Sequence, residues 1–375
     1  MAKWLKSVNA SNEESRRLGK LTAKALGFSE KTYRKSLAVL RKYIGVTEVK
    51  MSAGAFDQIE YATIPSKAMS NYRKAFLKND GERFQNYLES VKNGKAKINT
   101  GTLYPYDIVM KYINGPWMRE YDETLELMWK NLPNYIEGKN NVLVMADTSG
   151  SMKCGNGRPF ASSVGLAIYF AERNYGEFKN KFMTFDTKPH FVTLKDGSLK
   201  EKLESIAKIN GNTNLMAAMD MILNVAVAND IKKEDMPKAL VVISDMEFDE
   251  AVTLHKWENS SSLSYTSGFD STYNESYNAL IKRKFINAGY DIPKIVFWNV
   301  ESRNNVFHAC EKDGMDNVIL VSGNSASTFK NLLANISGNA EDVMWNVLNN
   351  NRYDIIVDYK EESEGENKGE SKGEM

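Results

Sequence analysis

Residues 142–151 read Val-Leu-Val-Met-Ala-Asp-Thr-Ser-Gly-Ser, and this stretch decides the fold. Five apolar residues with no polar alternate describe a strand buried on both faces, as in a parallel sheet covered by helices. The same kind of run recurs at 181–185 (KFMTF), 239–244 (ALVVIS), 294–300 (KIVFWNV) and 317–322 (NVILVS). Helical periodicity fills the intervals at 160–173, 199–208, 214–229, 275–288 and 325–336. Strands alternating with helices predict an α/β fold, doubly wound around a mostly parallel, Rossmann-like sheet. In such a sheet, chemistry collects beyond the carboxyl ends of the strands, where the strand order reverses.

Asp147-Thr148-Ser149-Gly150-Ser151 stands at one of these exits and has the form D-x-S-x-S. One carboxylate and two hydroxyls at alternating positions of a turn can aim their oxygens at one point, which is what a hard divalent cation requires. Thr213, in the loop that enters the helix at 214, and Asp245, which closes the ALVVIS run, add two oxygen donors at equivalent places. If the strand order is 3-2-1-4-5-6, Asp147 and Asp245 leave adjacent strands, and Asp147, Ser149, Ser151, Thr213 and Asp245 converge on one cleft. Asp186 ends the KFMTF run, where it reads as a support for the ligands or as a turn cap. Glu247 and Asp249 read as an acidic rim that concentrates cations, or as solvated loop residues. Gly155 and Gly157 lack the spacing and lysine of a phosphate-cradling loop, and Cys154 has no histidine nearby in sequence to activate it.

Before residue 141 the periodicity is helical throughout. Ser11 with Glu14 forms a capping-box pattern, and Leu18, Leu21, Ala25 and Leu26 then recur at helical spacing until Gly27. A second segment starts after Ser29, places Tyr33, Leu37, Leu40 and Ile44 on one face, and ends at Gly45. Further stretches carry Met69, Tyr72 and Phe76, then Phe84, Tyr87, Leu88 and Val91; residues 103–113 and 117–132 complete about six short helices. The aromatic residues sit at core spacing and read as packing groups rather than base-stacking platforms.

Charge divides the chain at the same place. Over 375 residues there are 49 Lys+Arg and 48 Asp+Glu, but residues 1–140 hold 24 against 15, and the remainder 25 against 33. The basic segment reads as a solvated helix surface or as a phosphate-binding one, with nucleic acid or an acidic surface as the candidate partner. Lys92, Lys95 and Lys97, around Asn93-Gly94, are its densest cluster. Two isolated cysteines, Cys154 and Cys310, and three histidines exclude a disulfide framework and a Cys/His zinc site. No run approaches the roughly 18 apolar residues of a membrane span, and the first residues lack a signal-peptide core, so a cytoplasmic location without a membrane partner is expected. Residues 360–375, with 3 Lys and 6 Glu and no core-forming run, read as a disordered acidic tail. The expected organisation is a helical segment over 1–140, an α/β domain over 141–358 and a tail over 359–375.

D-x-S-x-S, a downstream Thr and a later Asp resemble the metal-ion-dependent adhesion site of von Willebrand factor A domains. The resemblance implies a von Willebrand factor A-type sheet and a Mg²⁺ or Mn²⁺ held by Ser149, Ser151 and either Thr213 or Asp245, with Asp147 acting largely through water. Its open position would take a carboxylate from an acidic side chain of a protein ligand. The runs SVNAS (Ser7 to Ser11), KAKIN (Lys95 to Asn99), LYPYDIV (Leu103 to Val109), SDMEFDEA (Ser244 to Ala251) and VFWNVESR (Val296 to Arg303) resemble an uncharacterised family that joins a basic helical segment to such a domain. More distantly, both halves are similar to the TROVE-type Ro ribonucleoprotein, whose helical repeats bind RNA. A non-enzymatic, metal-dependent binding protein is the function these resemblances imply. Two alternatives stay open: an RNA-binding protein with a structural metal site, and a Mg²⁺-dependent phosphodiester or phosphate hydrolase.

Overall fold

The computed structural model describes residues 2–114, 117–135, 141–184, 189–206, 215–245, 277–301, 318–323, 344–345 and 348–349. The chain forms two compact units. One comprises Met1–Thr102 and Glu123–Asn131; the other comprises Leu103–Asp122 and Leu132–Met375. The division therefore interleaves, where the hydrophobic and charge patterns place a single cut at 140.

The helical unit contains α1 (Glu13–Ala25), α2 (Glu30–Tyr43), α3 (Thr47–Ser52), α4 (Ser66–Asn79) and α5 (Gly81–Lys92). Helix α1 is capped by Asn12, whose side chain accepts from the Ser15 N–H at 2.8 Å, so the expected Ser11–Glu14 capping box does not form. Glu14 pairs instead with Arg17 at 2.7 Å. Ser29 caps α2 as its sequence predicts, accepting from the Thr32 N–H. The apolar stripe expected on α1 is turned outward: Gly19 and Ala23 are buried, whereas Leu18 and Leu21 are exposed. The reason lies at Gly19, where an added Cβ would stand 2.6 Å from the Ser7 carbonyl carbon and 2.9 Å from the Val8 nitrogen. Small side chains let the preceding segment lie against the helix backbone, and Val8, Ala23, Tyr33 and Leu37 close a small core there. Further along, Tyr61 packs edge-on against Phe84 at 4.8 Å and Phe76 at 5.3 Å, both rings fully buried. These aromatics are packing groups, as their spacing predicts.

Between the two parts of the helical unit, the chain contributes α6 (Pro105–Tyr112) and a short antiparallel pair, β1 (Ile113–Asn114) with β2 (Trp117–Met118), to the sheet unit. The single helix expected from 117 to 132 is thus a strand followed by α7 (Glu123–Lys130), which belongs to the helical unit. The sheet unit continues with β3 (Val142–Ala146), α8 (Arg158–Arg173), β4 (Lys181–Thr184), β5 (Phe191–Thr193), α9 (Leu199–Ile206), α10 (Leu215–Ala228), β6 (Ala239–Ser244), α11 (Tyr277–Asn287), β7 (Lys294–Asn299) and β8 (Val318–Ser322). Its six-stranded sheet has the order β5-β4-β3-β6-β7-β8, parallel except for the edge strand β5. Numbered within the sheet, that is 3-2-1-4-5-6. The short β5 escapes sequence reading because three residues carry too little alternation to register.

Both faces of the sheet are covered. Leu143 and Met145, Leu240 and Val242, and Ile295 and Phe297 join Met219, Ile222 and Phe285 of α10 and α11 in one buried cluster. The alternate residues Val144, Val241, Ile243, Val296 and Trp298 are equally buried and point to the opposite layer, where α8 crosses β3 and β6. Helix α8 is buried along nearly its whole length because α6 packs over it. Gly165 marks that crossing: a Cβ there would lie 3.2 Å from Val109 Cγ2. The helical stretch expected at 325–336 and the tail at 360–375 lie outside the described residues.

Candidate functional site

Strands β3 and β6 are parallel neighbours, and the chain reverses its direction of winding between them, so the crevice at their carboxyl ends is the switch point of the sheet. Asp147 follows β3 and Asp245 follows β6. Pairing continues past the end of β3, because the Asp147 N–H donates to the Ile243 carbonyl at 3.1 Å. The two carboxylates therefore emerge side by side, and both residues are buried.

Local bonds fix the donors. Asp147 Oδ1 accepts from the Ser149 N–H at 2.8 Å, folding the D-x-S-x-S turn back on itself. Its other oxygen, Oδ2, accepts from the Ser244 hydroxyl at 2.6 Å, and Ser244 Oγ also lies 3.5 Å from Asp245 Oδ1. Ser149 Oγ and Ser151 Oγ stand 3.0 Å apart. Whereas the carboxylates are buried, Ser149 and Ser151 are partly exposed, so the cluster opens outward through its hydroxyls. Burial pushes the Asp147 carboxyl above its ordinary value, and the neighbouring Asp245 charge adds to that push; the Ser244 hydroxyl and the Ser149 N–H act against it.

A buried carboxylate with neutral hydrogen-bond donors and a second carboxylate beside it favours either a proton or a cation. The donor set suits a hard cation: oxygens alone, two of them hydroxyls, on a rigid strand exit. Among the described residues no group of three or more His, Cys, Asp or Glu side chains is placed to hold a metal. The cluster at the switch point contains two carboxylates, and its remaining donors are hydroxyls.

Of the residues expected from sequence, the structure brings together Asp147, Ser149, Ser151 and Asp245. Thr213, Asp186, Glu247 and Asp249 lie outside the described residues. Ser244, which touches both carboxylates, lies outside the D-x-S-x-S motif; its signal is its place directly before Asp245 at the end of a buried strand. Cys154 is exposed, in the loop that follows the turn.

In the helical unit, Lys92 ends α5, Gly94 takes a positive φ of 71°, and Lys95 returns its N–H to the Ser90 carbonyl at 2.8 Å. The Tyr87 hydroxyl holds the Lys97 carbonyl at 2.9 Å. Lys92, Lys95 and Lys97 are all exposed; Lys92 lies 3.5 Å from Glu89. No helix among the described residues is long and apolar enough to cross a membrane.

Fold and crevice together define an α/β protein with a mostly parallel six-stranded sheet and a carboxylate–hydroxyl cluster at its switch point. The chain belongs to the family described as Domain of unknown function (DUF7788), whose model matches residues 141–373. Residues 1–142 match the model of another family, Domain of unknown function (DUF2828). The chain is similar to "Uncharacterized protein L728" of Acanthamoeba polyphaga mimivirus, with 27% identity over 341 residues; the match covers 86% of this chain and 55% of that protein, so the chain spans about half the length of this relative. Among solved structures, the "Crystal structure of Deinococcus radiodurans RO (RSR) protein" aligns at 15% identity and a TM-score of 0.42, covering 89% of this chain and 73% of that one.

Proposed function

We propose that this protein is a non-enzymatic binding protein whose sheet unit uses a divalent cation, Mg²⁺ or Mn²⁺, to take a carboxylate of a protein partner. The observation that carries this reading is the convergence of Asp147, Ser149, Ser151 and Asp245 at the switch point, with two buried carboxylates behind two outward hydroxyls. Ser149 and Ser151 would hold the ion, Asp147 and Asp245 would supply its countercharge, and Thr213 is the further donor that the adhesion-site pattern assigns. A cation bound there supplies Lewis-acid attraction for an anionic oxygen. The chain's own residues do the rest. The Ser149 N–H and the Ser244 hydroxyl lock both oxygens of Asp147, and burial keeps water from screening the charges.

The test is thermal unfolding in EDTA, Mg²⁺ and Mn²⁺. At a metal concentration of about 100 times Kd, the native protein should gain about 2.7 kcal/mol, or roughly 5–10 °C in Tm. Asp147→Asn should remove that gain, and an equal metal response in the variant sinks the proposal.

A second reading, RNA binding by the helical unit, is favoured by the exposure of Lys92, Lys95 and Lys97 on one short turn. Replacing all three by Gln should weaken binding of single-stranded RNA and reduce the slope of log K against log salt by about 2. Unchanged affinity and slope refute it.

A further inference from the structure

Helices α1 and α2, joined by a short loop, form an antiparallel hairpin closed by Ala23, Tyr33 and Leu37. The first residues of the chain lie along one side of it. The Ser7 and Val8 backbone rests against Gly19, the Tyr33 hydroxyl donates to the Lys6 carbonyl at 3.0 Å, and Arg41 donates to the Leu5 carbonyl at 2.6 Å. A helix turns about 100° per residue. Leu18 and Leu21 therefore lie about 100–160° around α1 from Gly19, and Val39, Leu40 and Tyr43 lie about 100–160° around α2 from Arg41. Both sets turn to the side of the hairpin opposite the N-terminal segment.

That side is apolar and bare. Leu18, Leu21 and Leu40 keep 38%, 49% and 46% of their surface, and Val39 and Tyr43 keep 68% and 88%. At roughly 150–250 Å² per side chain, these fractions amount to roughly 500 Å². The patch matches the largest of an ordinary monomer, but falls short of the about 800 Å² that each partner of a stable dimer buries. Charge also counts against a second copy. Residues 13–44 hold nine Lys and Arg against three Glu, a balance of +6. Beyond the apolar positions, Lys24 borders the face on α1, and Lys35 and Lys42 border it on α2; all three are exposed. A copy laid on this face would set cations against cations. Lipid fits poorly too, because Glu14 and Ser36 turn to the same side, where a membrane would have to bury them. Half-sheltered leucines between two helices make a shallow groove, which a single helix fits.

We propose that this face of α1 and α2 is a docking groove for an acidic amphipathic helix of a partner protein. The partner's apolar stripe, spaced i, i+3, i+4 and i+7, lies on Leu18, Leu21 and Leu40, with Val39 and Tyr43 as one wall. Its Asp and Glu residues flank that stripe and meet Lys24 on one side and Lys35 and Lys42 on the other. Tyr43, a bare aromatic ring, is the anchor. The groove is independent of the switch-point cluster and of Lys92, Lys95 and Lys97.

The experiment is titration of the full-length protein with two acetylated, amidated probes: two copies of Leu-Glu-Glu-Leu-Leu-Glu-Glu in tandem, and the same peptide with Lys for Glu. Native protein should bind the acidic probe at least about tenfold more tightly than the basic one, with an affinity that falls as salt rises. Val39→Gln with Tyr43→Gln should weaken that binding by at least about tenfold. Its Tm should hold or rise, because both positions are exposed and Gln is the better helix former. Lys35→Glu with Lys42→Glu keeps the apolar face, and should lower affinity for the acidic probe about 3–10-fold while raising it for the basic one. Failure to bind the acidic probe, equal affinity for both probes, or acidic-probe affinity unchanged in both variants overturns the groove. So does a native dimer that the Val39 and Tyr43 substitutions dissociate, which would give the face to a second copy. Binding to single-stranded RNA, or to phosphatidylcholine vesicles with about 30% phosphatidylserine, that the same substitutions abolish would give it to those ligands instead and overturn the proposal.

Discussion

Asp147 combines a buried carboxyl with the proposed metal response, and the two separate experimentally. Without a cation, its carboxyl titrates above the unfolded value because burial, and then Asp245, disfavour the charged form. The sign follows: the folded state binds the proton more tightly than the unfolded chain, so this group's stabilisation is present below the unfolded value and is lost as pH rises through the folded one. Asp147→Asn should therefore be at least as stable as the native protein in EDTA at pH 7, with a flatter pH dependence of stability above pH 4, while losing the metal response. Denaturant melts at several pH values check this, and a variant markedly weaker in EDTA would contradict it. The motif residues were legible because D-x-S-x-S is local, and Asp245 because it ends an apolar run. Ser244 was not: its role depends on which strand end stands beside which, and it reaches Asp147 across 97 positions of chain.

At the level of elements, α1 shows where periodicity names the wrong face. Leu18 and Leu21 give the larger apolar signal, yet Gly19 and Ala23 are buried, because proximity of backbone to backbone decides this contact. In an ordinary helix interior, Gly→Ala would add about 0.5–1 kcal/mol. At Gly19 the added methyl meets Ser7 and Val8 at 2.6–2.9 Å, all of it backbone, so Gly19→Ala should instead cost about 1–3 kcal/mol and lower Tm. A Tm that rises would show that the first ten residues do not lie where the fold puts them. The sheet strands were legible for the opposite reason: buried on both faces, they carry no competing period. The 117–132 stretch reads as one helix because two residues of β2 are too few to break a helical count.

For the whole molecule, the interleaving of the units has a testable cost. Helix α6 lies within residues 1–142, the range of one family model, but packs on α8 in the sheet unit. A fragment beginning at 141 therefore bares the α8 surface around Gly165 that Val109 and Pro105 cover. It should melt below a fragment beginning at 103 by several degrees and self-associate, as thermal scans and size-exclusion chromatography would show; identical behaviour would mean that α6 is dispensable.

The same interleaving bears on descent. The two family models overlap at residues 141–142. Recombination there would hand α6 to one product and its seat on α8 to the other. The chain passes between the units three times, at 102–103, 122–123 and 131–132, so a cut at 141–142 divides the sheet unit instead of separating the two units. A gene carrying the second segment with a foreign partner would have to supply its own substitute for Leu103–Asp122.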